Sequence, residues 1–277
     1  MNSVNIIHIE TLNLCTRHCW YCKFGQNRQD PSTLRMTDEL IETIADTLHD
    51  IDYSGRISPF GINEPLLDPR MPEMISLLRS KCPRAFISLV SNGDLLTREL
   101  YETLVASGMD ALGLSCHDES SWQRLKPYAR YPNVRLIDMR RPKEILSNRG
   151  GEVKLRNSIP QTNKPCFVPL KTLEIRSNGD VVLCCNDMYS DVVMGNIAFQ
   201  PLEEIRNSKQ FLNYRSKLAS ADRRGLKLCE VCNRTGGNCN WKFPLEDFDW
   251  IPKPLRKAVY RWTPATVKKL VKKVGNL

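Results

Sequence analysis

Three cysteines fall within eight residues, Cys15-Thr16-Arg17-His18-Cys19-Trp20-Tyr21-Cys22, directly after the first apolar run of the chain, residues 4–14. That run reads as a strand, so the thiols sit in a loop at a strand end. Clustered thiols in a chain without a secretory signal are metal or cluster ligands before they are disulfides. Three thiolates occupy three corners of a four-iron cube and leave one iron without a protein ligand, whereas a closed structural site takes four. Such a loop requires a rigid scaffold behind it and prepares an open coordination position in front of it. A zinc loop is the alternative, with His18 as the fourth ligand.

The chain has 277 residues, 41% of them hydrophobic, enough for one large α/β domain and a smaller module. The first residues lack the charged and apolar regions of a signal peptide, and no apolar stretch reaches membrane-spanning length, so a cytoplasmic location is expected. The formal charge of +9 is a property of the tail. Residues 252–277 contain eight basic and no acidic side chains, and the remaining 32 basic residues face 31 acidic ones. A nearly neutral body argues against nucleic acid as a partner. In the tail, Val267, Leu270, Val271 and Val274 share one helical face, and Lys268, Lys269, Lys272 and Lys273 the other. Such a helix either packs on the body or lies peripherally on an anionic inner-membrane face.

Residues 4–150 alternate apolar strands (4–14, 56–60, 85–91, 111–116, 134–139) with helical patterns. Thr37 and Thr97 stand at N-cap positions, Gly108 at a C′ position, and residues 72–79 read as helical. Repeated strand–helix units predict a parallel sheet, closed or partly closed into a (β/α) barrel, with chemistry at the C-terminal strand ends. A second region begins near residue 159. Residues 172–176 and 181–184 flank Ser177-Asn178-Gly179-Asp180, a hairpin signal. Residues 201–217 read as one helix, with Leu202, Ile205, Phe211 and Leu212 in the core. The expected organisation is a partial TIM-like barrel over 1–155, a module of hairpin plus helix over 156–240, and a basic extension over 241–277.

A second cysteine set lies in that module. Seventeen residues separate Cys166 from Cys184, forty-four separate Cys184 from Cys229, and two separate Cys229 from Cys232. Four thiolates close a complete [4Fe–4S] site, or a structural zinc site. Adjacent strand residues point to opposite faces, so Cys184 and Cys185 cannot serve one cluster together, and the spacing selects Cys184. Cys185 is then either a small buried hydrophobe or a thiol facing the active site. Cys82 reads as core.

The first cluster resembles the CxxxCxxC signature of radical S-adenosylmethionine (SAM) enzymes, with Tyr21 before the last cysteine. The resemblance implies that SAM chelates the open iron and is cleaved reductively to a 5′-deoxyadenosyl radical, with a flavodoxin- or ferredoxin-type electron donor. Asn63-Glu64-Pro65 resembles the family's GEP motif, which implies Glu64 as the partner of the methionyl ammonium. Ser91-Asn92-Gly93 resembles the segment that contacts the SAM carboxylate or ribose, and His117 ends the next strand. Cys166, Gly179 and Cys184 match the start of a SPASM module, and its incomplete later cysteines imply a shortened, twitch-like form with one auxiliary cluster. Segments such as Leu146-Ser147-Asn148-Arg149-Gly150-Gly151 and Val193-Met194-Gly195-Asn196-Ile197 resemble an aminocyclitol-oxidising branch of the family. They imply Arg149 beside a substrate hydroxyl; a loop salt bridge is the alternative role. Cys185-Asn186-Asp187 departs from that branch, which has Phe-Glu-Asp there, and Cys116 stands in place of a glutamine.

These features predict oxidation of a carbinol carbon in a sugar, aminocyclitol or related polyol, with the auxiliary cluster as electron acceptor. Two enzymatic alternatives remain: an epimerase that quenches the carbon radical with a thiol (Cys239 first, then Cys185 and Cys116), and a peptide-modifying enzyme. A metal-stabilised adaptor with a basic tail is the non-enzymatic one.

Overall fold

The structure, a computed structural model, describes residues 4–25, 35–141, 147–154 and 163–234. Cys239, the start of the second region and the basic tail lie outside the described residues. One eight-stranded sheet runs through the molecule: β1 (Ile6–Ile9), β2 (Arg56–Ser58), β3 (Phe86–Ser91), β4 (Ala111–Cys116), β5 (Val134–Asp138), β6 (Thr172–Ile175), β7 (Asp180–Val182) and β8 (Val193–Asn196). The strand order is β5-β4-β3-β2-β1-β6-β7-β8. The first six are parallel, and β7 and β8 are antiparallel.

The expected strand–helix alternation is present. Helices α1 (Asp38–Asp50), α2 (Met71–Lys81), α3 (Arg98–Ala106) and α4 (Glu119–Leu125) follow β1 to β4. The Thr37 hydroxyl accepts from the Leu40 N–H at 3.2 Å, and the Thr97 hydroxyl from the Leu100 N–H at 3.1 Å, as capping predicts. Gly108 takes φ +109° just past α3, a conformation glycine adopts without penalty. Cys82 is buried at the end of α2.

The first strand of the second region, β6, pairs in parallel with β1 along its whole length (Ile6↔Thr172 to Ile9↔Ile175), so the hairpin continues the barrel sheet. One expectation needs correction. The helix predicted over 201–217 is two helices, α6 (Leu202–Asn207) and α7 (Lys209–Ala219); the short α5 (Val168–Lys171) precedes β6. Ser208 is extended (φ −59°, ψ 146°) and its hydroxyl caps α7 at the Phe211 N–H. The break resets the helical phase, so Phe211, Tyr214 and Leu218 turn inward while Leu212 is 48% exposed.

Strand alternation sorts the sheet into two unlike faces. On the helix side stand Ile7, Ile57, Ile87, Leu112, Leu173 and their neighbours, all in the hydrophobic core. On the other side, one register level carries His8, Ser58, Ser88 and Glu174. A barrel interior is ordinarily filled by branched apolar side chains; here a polar layer takes that place, and its His8 and Glu174 line an open cavity.

Candidate active site

The cavity lies over the C-terminal ends of the parallel strands, holds about 410 Å³, and is lined in part by Cys15, Cys19, Cys22, Glu64, Arg149 and Cys185. Its first wall is the cysteine loop. The Cys22 N–H donates to the Cys19 carbonyl and the Gly25 N–H to the Cys22 carbonyl, both at 2.9 Å, which winds the loop into a turn. A Cβ on Gly25 would stand 2.2 Å from the Cys19 carbonyl oxygen, so only glycine closes that turn. Arg17, inside the loop, donates to Asp94 beyond β3 and to Asp118 beyond β4, each at 2.7 Å. Those bonds raise its pKa further and pin the loop across two strand ends.

The three thiols crowd one another. Burial pushes the Cys15 thiol up to about 11, and neighbouring Glu64, Cys22 and Cys19 add to the rise against a hydrogen bond from the Arg17 N–H. Burial likewise raises Cys22. Crowded thiols that resist ionisation alone become thiolate ligands when iron supplies the positive charge, with release of protons.

The second wall gathers the residues singled out at successive strand ends. Glu64 is buried and accepts from the Ser91 hydroxyl (2.6 Å), the Asn92 N–H (2.8 Å) and the Leu66 N–H (3.0 Å). Burial still raises its pKa, against those three donors. Asn63 accepts from the Gly61 N–H at 2.8 Å, but its buried Nδ2 has no partner. Asn92 reaches Thr16 of the cysteine loop at 2.8 Å. His117 Nδ1 hydrogen-bonds the Tyr21 hydroxyl at 2.7 Å and lies 3.8 Å from Cys19 Sγ. Burial, then Arg17, lowers the His117 pKa, so a neutral ring faces the loop. Tyr21, Asn63, Glu64, Ser91, Asn92 and His117 therefore surround one space with Cys15, Cys19 and Cys22.

The third wall comes from the second region. Asn148 accepts from the Asn233 N–H (3.1 Å), donates through its own N–H to the Asn233 side chain (2.7 Å), and bonds the Val231 carbonyl (2.7 Å). Gly151, at φ +100°, lies so close to Val231 that a Cβ would come within 2.8 Å of it. These contacts lock the Arg149 turn onto the Cys229–Cys232 segment. Arg149 itself sits at φ +49°, donates to the Cys185 carbonyl at 3.2 Å and keeps a buried Nε without a partner.

Cys166, Cys184, Cys229 and Cys232 lie together behind this wall. Burial pushes the Cys229 thiol up to about 12, reinforced by Cys166 and Cys232, and raises Cys184 well above its usual range. Among the described residues no three His, Cys, Asp or Glu side chains converge on one ion-sized position. Thiolates at the corners of a cube stand farther apart than around a single ion. Both donor sets, three soft thiolates beside an orphaned amide and four in a closed buried group, fit [4Fe–4S] clusters.

The two spare thiols in the described region part ways. Cys185 lines the cavity, with Arg234 Nη1 3.1 Å from its sulfur, so it is not the core residue that was the other option. Cys116 lies on the helix side of β4, buried in the core, while its neighbour Ser115 faces the cavity. Cys116 is thereby removed from the candidate hydrogen donors. The sequence reading missed His8 and Glu174, which line the cavity and share a hydrogen bond of 2.8 Å. They are 166 positions apart, and only the β1–β6 register joins them.

Comparison with known proteins agrees with this geometry. Residues 9–121 match the radical SAM superfamily, and residues 166–233 match the SPASM iron–sulfur cluster-binding domain. The S-adenosyl-L-methionine-dependent 2-deoxy-scyllo-inosamine dehydrogenase of Niallia circulans is 28% identical over 235 residues, covering 83% of this chain and 92% of the relative. Among solved structures, BtrN in complex with AdoMet and 2-DOIA superposes with a TM-score of 0.76 at 28% identity, over 84% of this chain and 95% of that one. BtrN in an open conformation gives 0.66 at 26% identity, over 83% and 92%. SAM and [4Fe–4S] clusters are the cofactors of these domains, and both candidate donor sets accommodate them. The chain carries a radical SAM domain over residues 9–121 and a SPASM iron–sulfur cluster-binding domain over residues 166–233.

Proposed function

We propose that this protein oxidises a carbinol carbon of an aminocyclitol, sugar or related polyol to a ketone. Cys15, Cys19 and Cys22 would hold the SAM-binding cluster, Asn63, Glu64, Ser91, Asn92, His117 and Tyr21 would surround SAM, and Cys166, Cys184, Cys229 and Cys232 would hold the auxiliary cluster. When bound, these groups supply a hydrogen-atom acceptor and a one-electron acceptor. On this reading residues 1–155 form the partial barrel, 156–240 the auxiliary module and 241–277 a basic extension.

The chain's own residues bind and orient. Glu64, fixed by three donors, presents an anionic site for an ammonium group, and the free Asn63 Nδ2 offers a donor beside it. Arg149 holds its planar fork between the Cys185 carbonyl and the cavity, where it can bind a substrate oxygen. The observation that carries the reading is that one cavity is walled by both the cysteine loop and the Arg149–Cys185 side of the auxiliary domain. A volume of about 410 Å³ suits a small molecule better than a peptide. The similarity to a 2-deoxy-scyllo-inosamine dehydrogenase supports the substrate class and the oxidation.

Epimerisation is the second reading, favoured by the Cys185 thiol in the cavity; Cys239 lies outside the described residues. Turnover in D₂O separates the two. Oxidation yields a ketone without solvent deuterium on carbon, and an inverted centre carrying solvent deuterium refutes it. Anaerobic reconstitution tests the adaptor alternative: about eight irons per chain together with reductive cleavage of SAM exclude it. A flavodoxin- or ferredoxin-type reductant belongs to the same proposal. No helix among the described residues is long and apolar enough to cross a membrane. Peripheral contact through residues 252–277 is tested by liposome co-sedimentation of the full chain against a truncation.

A further inference from the structure

We propose that His8, oriented by Glu174, is the catalytic base that takes the substrate's hydroxyl proton. This rests on the dehydrogenase reading above and assigns a role that reading leaves open.

Conversion of a carbinol to a ketone breaks a C–H and an O–H bond and forms the second C–O bond. A hydrogen atom leaves carbon, a proton leaves oxygen, and one electron remains to be removed. On the reading above, SAM bound at the Cys15–Cys19–Cys22 loop would supply the acceptor for the hydrogen atom, and the auxiliary cluster held by Cys166, Cys184, Cys229 and Cys232 that for the electron. The proton is left for the protein. Arg149 has no lone pair to receive it. Glu64 is already held by three donors on the SAM side, and His117 is bound to Tyr21 beside the cysteine loop.

His8 is placed otherwise. It sits mid-strand in β1, directly opposite Glu174 of β6 in the parallel register, and both line the cavity. Its Nδ1 lies 2.8 Å from Glu174 Oε1, with side-chain exposures of 15% and 3%. With Nδ1 engaged by the Glu174 carboxylate, Nε2 is the ring nitrogen left to take a proton. Phe60 packs edge-on against the imidazole with centroids 5.4 Å apart, which limits its rotation. Arg56 from β2 and Ser58 opposite His8 complete the polar surroundings. An imidazole with one nitrogen tied to a buried carboxylate is the arrangement by which proteins hold a base in a fixed orientation. As the O–H proton moves to Nε2, the charge on the ring is matched by Glu174 without movement of either group.

The test has two arms. In the first, SAM-bound holoenzyme is treated with diethyl pyrocarbonate, which acylates neutral imidazole nitrogen, and the four histidines are read by peptide mass spectrometry. His8 is expected to be labelled, and several-fold more slowly in Glu174→Gln, with His18 and His49 unchanged as internal references. A His8 that stays unlabelled while His18 and His49 react overturns the proposal, because no ring nitrogen then faces the cavity. The second arm uses 2-deoxy-scyllo-inosamine, deuterated at its carbinol carbons, within a panel of polyols. His8→Gln is expected to transfer deuterium into 5′-deoxyadenosine while ketone formation falls about 10²-fold or more. Ketone at the wild-type rate overturns the proposal. If the wild-type enzyme forms no ketone from any member of the panel, the dehydrogenase reading fails, and the labelling arm still decides whether His8 presents a proton acceptor to the cavity.

Discussion

Arg176 and Glu10 offer the sharpest energetic test of how the two halves are joined. Each lies one residue past its strand, β6 and β1, and they are 4% and 2% exposed. Arg176 Nη1 bonds Glu10 Oε2 at 2.9 Å, and Nη2 bonds the carbonyl of Asp187 in the loop after Cys184. Glu10 also accepts from the Ile62 N–H at 3.2 Å, and its other oxygen lies 3.6 Å from Lys23 Nζ in the turn that follows Cys22. Arg176→Met keeps the side-chain length but removes the donors to Glu10 Oε2 and to the Asp187 carbonyl, leaving the buried Glu10 to the Ile62 N–H and the longer Lys23 contact. Breaking a buried pair from one side costs about 3–5 kcal/mol. With a urea slope of about 2–3 kcal/mol per molar, the midpoint should drop by about 1–2.5 M at unchanged slope. Glu10→Gln should cost less, because Glu174 and Asp187 also act on Arg176. The double variant should fall short of the sum by about 0.5–3 kcal/mol, the coupling of the pair. Anaerobic urea unfolding followed by circular dichroism measures all four proteins. An Arg176→Met protein within about 1 kcal/mol of wild type, the range of exposed pairs, would refute the argument that burial makes this contact a structural link.

Three further outcomes follow from the site. Cys184→Ser should lower iron content from about eight to about four per chain, whereas Cys185→Ser should leave it unchanged, since Cys185 lines the cavity while Cys184 lies among Cys166 and Cys229; iron analysis after anaerobic reconstitution decides. Arg223 is 1% exposed, donates to the carbonyls of Cys232, Lys164 and Arg234, and has no carboxylate partner among the described residues. It lies close enough to lower the pKa values of Cys166 and Cys229, so Arg223→Gln should make the auxiliary cluster harder to reduce in an EPR redox titration, and an unchanged potential would count against it. Asp118 is held at about 2, below its usual 3.8, by the Ser121 N–H and then by Arg17. A carboxyl lowered in the folded state stabilises above its unfolded value, and that contribution is lost as pH falls from 3.8 towards 2. Asp118→Asn should therefore flatten the urea midpoint across that interval.

Much of this was legible in the residues. The caps at Thr37 and Thr97, the glycine at 108 and the five barrel strands are local signals, carried by side chains within four positions of the backbone they fix. The cysteine spacings singled out both candidate donor sets because thiols are scarce and specific. What escaped depended on distance or phase. His8 and Glu174 each look like an interruption of an apolar strand until the β1–β6 register puts them opposite one another. Leu212 fits the apolar period of a continuous helix, and a single extended residue, Ser208, turns it outward. Strand alternation was not what separated Cys184 from Cys185, because β7 ends at Val182 and both thiols lie past it; the contacts of Arg149 and Arg234 with Cys185 set its surroundings instead.

The seating of β6 beside β1 also sets an order on biosynthesis. Strand β1 carries the cysteine loop, yet its second neighbour in the sheet comes from residues 172–175. Until that part of the chain has left the ribosome, β1 has one open edge, and Glu10 and His8 lack Arg176 and Glu174. Contacts of such long sequence separation form late. The loop that receives the first cluster is thus completed only when the strand leading into the second cluster site has been made, and a fragment ending at residue 155 would present an unpaired parallel edge to other chains.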